Sequence, residues 1–168
     1  ETEFLEEAEV LSQIRHPNIV SCYGFVSDGD SRLLVTELCS GSLSQVLGTR
    51  LSLLQKIELA LSVSSALEYL HEKGWVQGDL APRNILVVGV SGSDHGIKLN
   101  DFGLTRRSVE PGVDTIAFGQ LLWSIMLGRS PQSRDLVDPE WPVAELIRQC
   151  CSHSSKDPWP ASIRRNLT

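Results

Sequence analysis

The chain has 168 residues, 41% hydrophobic and 21% charged, which suits one soluble globular domain and is too short for two large ones. Its net charge is −6, and basic residues adjoin only as Arg106 with Arg107 and Arg164 with Arg165, which argues against a nucleic-acid partner. No apolar stretch reaches the roughly 18 residues of a membrane helix and no signal peptide opens the chain, so no membrane segment is expected.

The first residue, Glu1, stands inside a helical pattern, so the chain is expected to be a fragment of something longer. Phe4, Leu5, Ala8, Leu11 and Ile14 recur at helical spacing over residues 3–14, and Pro17 ends that helix because it has no backbone donor. Two β-like runs follow, 19–26 and 33–35, with the polar turn 27–31 between them as a hairpin signal. The small residues 40–42 break the pattern before a short helix over 43–47. The strongest helix is expected over 53–73, carried by Leu54, Ile57, Leu61, Leu67 and Leu70, with Gly74 as its stop. Short strands are expected at 85–88 and 97–99, joined by an exposed Gly/Ser-rich turn over 89–96. The run 116–127 is nearly all apolar and reads as a helix buried on every side. Helices over 143–151 and 161–167 close the chain. Cys22, Cys39, Cys150 and Cys151 lack metal-binding spacing and read as buried reduced thiols, which fits a reducing compartment. The order gives an α+β chain weighted toward helix.

Chemistry becomes visible in Gln77-Gly78-Asp79-Leu80-Ala81-Pro82-Arg83-Asn84, followed by two strands and then Asp101-Phe102-Gly103. An Asp in a loop, an Asn five residues on and a second Asp across a hairpin bring three oxygen-bearing side chains to one cleft. Phosphoryl transfer needs such a set: a carboxylate for the hydroxyl proton and hard oxygen ligands for magnesium. A lone Asp-Phe-Gly is better read as a turn; the ordered set at this spacing is specific.

These motifs resemble those of eukaryotic protein kinases, and the resemblance covers nearly the whole chain. Phe4-Leu5-Glu6-Glu7-Ala8 looks like the family's small-lobe helix, with Glu7 where a glutamate pairs with a lysine of a preceding strand. His16-Pro17-Asn18-Ile19-Val20 resembles the turn after that helix. Val35-Thr36-Glu37-Leu38-Cys39 is similar to the last small-lobe strand and the hinge. Thr36 is then the residue guarding the adenine cleft, main-chain groups of Glu37 and Cys39 face the adenine around Leu38, and Leu86 lies beneath it. Asp114, Phe118, Gly119 and Trp123 match a central helix of the large lobe. The resemblance implies a protein-kinase-like fold: residues 1–38 as a partial small lobe (one helix and a β-hairpin) and 39–168 as a mainly helical large lobe. It implies ATP and Mg2+ as cofactors, Asp79 as catalytic base, and Asn84 and Asp101 as metal ligands. Ala81 and Arg83 favour the tyrosine-kinase branch over the serine/threonine one, with Arg83 as a phosphate or substrate contact.

Four departures shape the functional expectation. The sequence opens at Glu1, inside the helix, so the family's glycine-rich loop and ATP-anchoring lysine are expected to be missing from these residues. Gln77-Gly78 replaces the family's His-Arg, so no cation is offered to an activation-loop phosphate, although Gln77 fits the histidine's packing position. The stretch from Asp101 to Asp114 is far shorter than a normal activation segment and has no Ala-Pro-Glu. Trp159-Pro160 stands where the family has Arg-Pro, so both partners of a buried ion pair are missing together, as in a chain adapted to its deletion. The expected function is a cytoplasmic, ATP-dependent kinase acting on protein hydroxyls, with a protein substrate or partner, incomplete here. Alone it is expected to bind ATP weakly, to phosphorylate no peptide, and to expose Phe4, Leu5 and Leu11 as an apolar face. The alternatives are a pseudokinase scaffold and a small-molecule phosphotransferase, which shares the Gly78-Asp79-Leu80 and Asn84-Ile85-Leu86 pattern.

Overall fold

The computed structural model describes residues 2–28, 31–89, 96–108, 110–152 and 167. Nearly all of the expected turn over 89–96, Trp159-Pro160 and the helix expected over 161–167 therefore lie outside the described residues. The elements run α1 (Thr2–Gln13), β1 (Cys22–Asp28), β2 (Ser31–Thr36), β3 (Gly41–Ser42), α2 (Leu43–Val46), α3 (Leu53–Glu72) and β4 (Trp75–Val76). A 3-10 turn (Pro82–Asn84), β5 (Ile85–Val88), β6 (Gly96–Leu99), β7 (Arg106–Arg107), α4 (Gly112–Leu127) and α5 (Ala144–Cys151) complete them.

Local chemistry sets the long helix. Ser52 Oγ accepts from the Gln55 N–H while Gln55 Oε1 accepts from the Ser52 N–H, closing a capping box that fixes where α3 begins. Gly74, at φ 76°, takes the left-handed conformation that ends it. Leu59, Ala60, Val63, Ala66, Leu67 and Leu70 form its buried face. Leu54, expected on that face, is exposed: the first turn of α3 overhangs the core. Helix α4 starts four residues earlier than its apolar run, and Gln120 opens one side of it to solvent, so it is not buried all round. It crosses α5 closely, since a Cβ on Gly119 would stand 2.7 Å from Cys150 Cβ.

Strands β1 and β2 pair antiparallel in one hairpin, β3-β5-β6 form a second small sheet, and β4 pairs with β7. The residues 40–42, read as a break, form β3: Gly41 and Ser42 pair with Val87 and Leu86 of β5. The turn after α1 joins the first third of the chain to the rest. Asn18 and Ile19 bridge to Leu99 of β6, the His16 ring stacks on Tyr69 of α3, and the Arg15 N–H donates to the Tyr69 hydroxyl. One contiguous core consequently links Val10 and Leu11 of α1, and Ile14 just after it, to α3, α4 and β6. Leu11 is 1% exposed, which corrects the expectation that it lies uncovered; the side chains of Phe4 and Leu5 lie outside the described residues. Exposed apolar surface sits instead on the β1–β2 hairpin, at Tyr23, Phe25 and Leu33. The cysteines are also less buried than expected. Cys150 alone is enclosed, and burial pushes its thiol up to about 12; Cys22 and Cys39 are half-buried and Cys151 is exposed.

Candidate active site

The loop between β4 and the 3-10 turn is held from below by one buried carboxylate. Asp114, at the start of α4, accepts the main-chain N–H groups of Gln77 and Gly78, both at 2.9 Å, and contacts His71 Nε2 at 2.7 Å. A buried carboxylate so engaged restrains the loop, because moving it would leave buried polar groups without their hydrogen bonds. Gly78 sits at φ 82°, and a Cβ there would meet the Leu104 carbonyl at 2.8 Å. The segment after Asp101-Phe102-Gly103 thus closes directly over Gly78. It is fastened by the β4–β7 ladder, by Thr105 Oγ1 donating to the Gln77 carbonyl, and by Arg107 stacked 4.3 Å above Trp75.

Above this floor, three of the side chains expected to act come together, those of Asp79, Arg83 and Asn84. Arg83 Nη2 donates to both Asp79 oxygens, at 2.7 and 2.8 Å. Asn84 Nδ2 donates to the Asp79 carbonyl and to Asp79 Oδ2, each at 2.9 Å. The β5–β6 hairpin returns the chain to the same end: Ile85 pairs with Leu99, and the Asn100 N–H donates to the Asn84 carbonyl at 2.9 Å. Asp101 follows at once, exposed, and is the single non-glycine residue at positive φ (61°) among those described. Gln77, wholly buried, spans the gap between the two acids. Its Nε2 donates to the Asp101 carbonyl at 3.1 Å and its Oε1 accepts from the Asp79 N–H at 2.7 Å. Glu7 reaches this place from α1, its Oε1 accepting the Phe102 N–H at 3.2 Å.

Thr36, Glu37, Leu38, Cys39 and Leu86 line a separate shallow cleft of about 520 Å³ between the first hairpin and β5. Glu37 does not offer its N–H there, since that group donates to the Ser21 carbonyl at 2.9 Å. Its side chain is drawn away as well, to the Ser21 N–H at 2.7 Å and to Lys98 Nζ at 3.0 Å. Burial alone raises the Glu37 carboxyl, but those donors outweigh it and hold the group below its ordinary range. Burial and the neighbouring Glu37 charge push the Cys39 thiol upward. A second groove of about 640 Å³ begins at Arg83 and runs between the loop and α4, past Gln120 and Ser124 to Asp135.

Sequence reasoning did not single out Asp114 with His71, or Lys98, as parts of the site. For Asp114 a signal existed: a carboxylate opening an almost wholly apolar run must be buried with partners. Lys98 carries no such mark, because its role depends on β6 lying beside the hinge.

A profile of the protein tyrosine and serine/threonine kinase family matches residues 1–112. The chain belongs to that family, and its α+β architecture is a protein-kinase fold. Human tyrosine-protein kinase FRK is 36% identical over 110 residues, 62% of this chain and 21% of FRK. The activated Cdc42 kinase-like protein of Drosophila melanogaster is 43% identical over 111 residues, 62% of this chain and 8% of its own length. The receptor protein kinase WSS1 of Oryza sativa subsp. japonica is 29% identical over 185 residues, 88% of this chain and 20% of that protein. That aligned length exceeds the 168 residues here, so the rice protein carries residues this chain lacks. The chain spans about a fifth or less of the length of these relatives.

Proposed function

We propose that the chain is the catalytic-loop-bearing body of a tyrosine-kinase-like protein kinase, which binds ATP with Mg2+ and moves a phosphoryl group to a protein hydroxyl in the cytoplasm. The observation that carries this reading is how Asn84 is used. Its amide nitrogen is engaged by Asp79, which leaves the amide oxygen as the free end, beside the hairpin that delivers Asp101. Among the described residues the Asp101 carboxylate takes only a long 3.4 Å contact, from the Gly103 N–H. One amide oxygen and one carboxylate fit magnesium, which keeps several waters and takes its remaining ligands from substrate phosphates. In this reading Asn84 and Asp101 hold the ion. Asp79 orients the acceptor hydroxyl and receives its proton, and Arg83 holds that carboxylate until substrate arrives. When bound, the ion draws charge from the phosphates. The cleft under Thr36, Glu37, Leu38, Cys39 and Leu86 takes the adenine, with the lobe boundary at residues 38–39.

A second reading, a partner-binding protein without transfer, is supported by the Arg83 guanidinium lying across both Asp79 oxygens. Calorimetric titration with Mg·ADP tests the shared part of both. Saturable binding with Kd on the order of 0.1–1 mM is expected, weakened at least about tenfold by Asp101→Asn and abolished by EDTA. Equal binding by Asp101→Asn, or none at several times that concentration, would contradict it. Transfer of γ-phosphate from ATP to a tyrosine copolymer by the full-length protein, rather than by these 168 residues alone, then separates the two readings.

A further inference from the structure

The pairing of β3 with β5 separates two cavities. Gly41 pairs with Val87 and Ser42 with Leu86. Directly opposed residues of an antiparallel pair share a face, while neighbours along a strand alternate between faces. Leu86 accordingly lines the shallow cleft beside the first hairpin. Val87 lines a second cavity of about 390 Å³ on the other face, between β5 and α2. Gly41 borders both cavities, and the side chain it lacks belongs to the rear one: a Cβ there would stand 2.5 Å from Gln45 Oε1.

The rear cavity has the size of a small-molecule site, roughly 300–1,000 Å³. Its wall chemistry is narrow. Val46 and Val87 are apolar, Ser40, Gln45 and Thr49 bring the polar side chains, and no lining residue carries an ionisable group. A charged ligand would lose water there without gaining a counter-charge. The polar side chains are partly committed. Gln45 Oε1 accepts the Ser42 N–H at 2.9 Å, and Thr49 Oγ1 donates to the Val46 carbonyl at 2.7 Å. Gln45 Nε2 remains as a donor and the Thr49 oxygen as an acceptor, neither with a further partner among the described residues.

We propose that this rear cavity binds a small, planar, uncharged molecule bearing an amide. Its flat body rests on Val46 and Val87, its carbonyl accepts from Gln45 Nε2, and its N–H donates to Thr49 Oγ1. The site differs in ligand class from a nucleotide cleft, because it offers nothing to a phosphate. It stands whether or not the cleft on the other face of β5 takes adenine.

The test is titration of the isotopically labelled chain with benzamide, followed by amide NMR shifts. Saturable shifts at Val46, Thr49, Val87 and Gly89 are expected, with Kd on the order of 1–10 mM for so small a probe. Benzoate, which has the same shape and a charge, is expected to bind at least about tenfold more weakly. Gln45→Ala removes the donor and is expected to weaken benzamide at least about threefold. Ser40→Trp sets a bulky side chain at the exposed rim and is expected to abolish the shifts, while the Leu67 and Leu122 amides stay in place in both variants. The proposal is overturned if benzamide shifts Thr36, Leu38 and Cys39 in place of the rear residues, which puts it in the cleft. It is overturned equally if no saturable shift appears by about 50 mM, if benzoate binds as well as benzamide, or if Gln45→Ala binds it unchanged. Should Ser40→Trp disturb the core amides, Gln45→Ala and benzoate decide alone.

Discussion

Asp114→Ala is expected to lower the free energy of unfolding by about 3–5 kcal/mol. The carboxylate is fully buried and accepts from the Gln77 N–H, the Gly78 N–H and the His71 ring. Truncation strands the buried Gln77 N–H at a cost of about 1–3 kcal/mol and the part-buried Gly78 N–H at a lower one, and removes a partner of a nearly buried imidazole. Against the roughly 5–15 kcal/mol that holds a typical domain together, this is a large share. Asp114→Asn keeps one acceptor oxygen and is expected to lose less. Urea unfolding followed by circular dichroism measures both. A loss under about 1 kcal/mol in Asp114→Ala would show that the loop is supported from elsewhere.

Gly78→Arg, which restores the residue the family usually carries before its catalytic Asp, is expected to destabilise the chain by about 2–4 kcal/mol. Two effects add. The left-handed φ of 82° costs a side-chain-bearing residue about 1–2 kcal/mol. The new Cβ also meets the Leu104 carbonyl at 2.8 Å and Arg106 Nη1 at 3.3 Å, so main chain must move and the β4–β7 ladder with it. Gly78→Ala isolates the first effect and the carbonyl contact from the arginine's length and charge, and is expected to lose less. The same unfolding measurement checks both, and a Gly78→Arg variant as stable as the parent would show that the segment after Gly103 does not rest on Gly78.

Much of the fold was legible because its long elements follow strong local rules. Gly74 marked the end of α3, Pro17 limited α1, and the short apolar runs pointed to β1, β2, β5 and β6, whereas the Ser52–Gln55 capping box that starts α3 was not read from the sequence. The two-residue strands β3, β4 and β7 were not legible, since Gly41, Trp75 and Arg107 have no strand pattern of their own and pair only because the tertiary structure brings partners alongside. The site divided in the same way. Asp79, Asn84 and Asp101 could be found from spacing along the chain, because a tight turn and a short hairpin leave few ways to arrange them. Glu7 accepts the Phe102 N–H across 95 residues of sequence and Gln77 donates to the Asp101 carbonyl across 24, so these bonds follow from the packing of α1 and the loop and from no local pattern. The exposed hairpin had the opposite fate: its apolar residues were read as strand, and nothing in their order said which faces stay open.

The account depends on Asn84 and Asp101 presenting their oxygens to one ion, with Asp79 alongside. Adding Mn2+ and ADP to the isotopically labelled chain tests that directly, because the paramagnetic ion broadens amide signals around it. The account predicts that Asp79, Asn84, Asp101 and Phe102 broaden together at low Mn2+ while Ile147 of α5 stays sharp. Broadening confined to surface acids such as Glu140 and Glu145, with Asn84 and Asp101 left sharp, would contradict it.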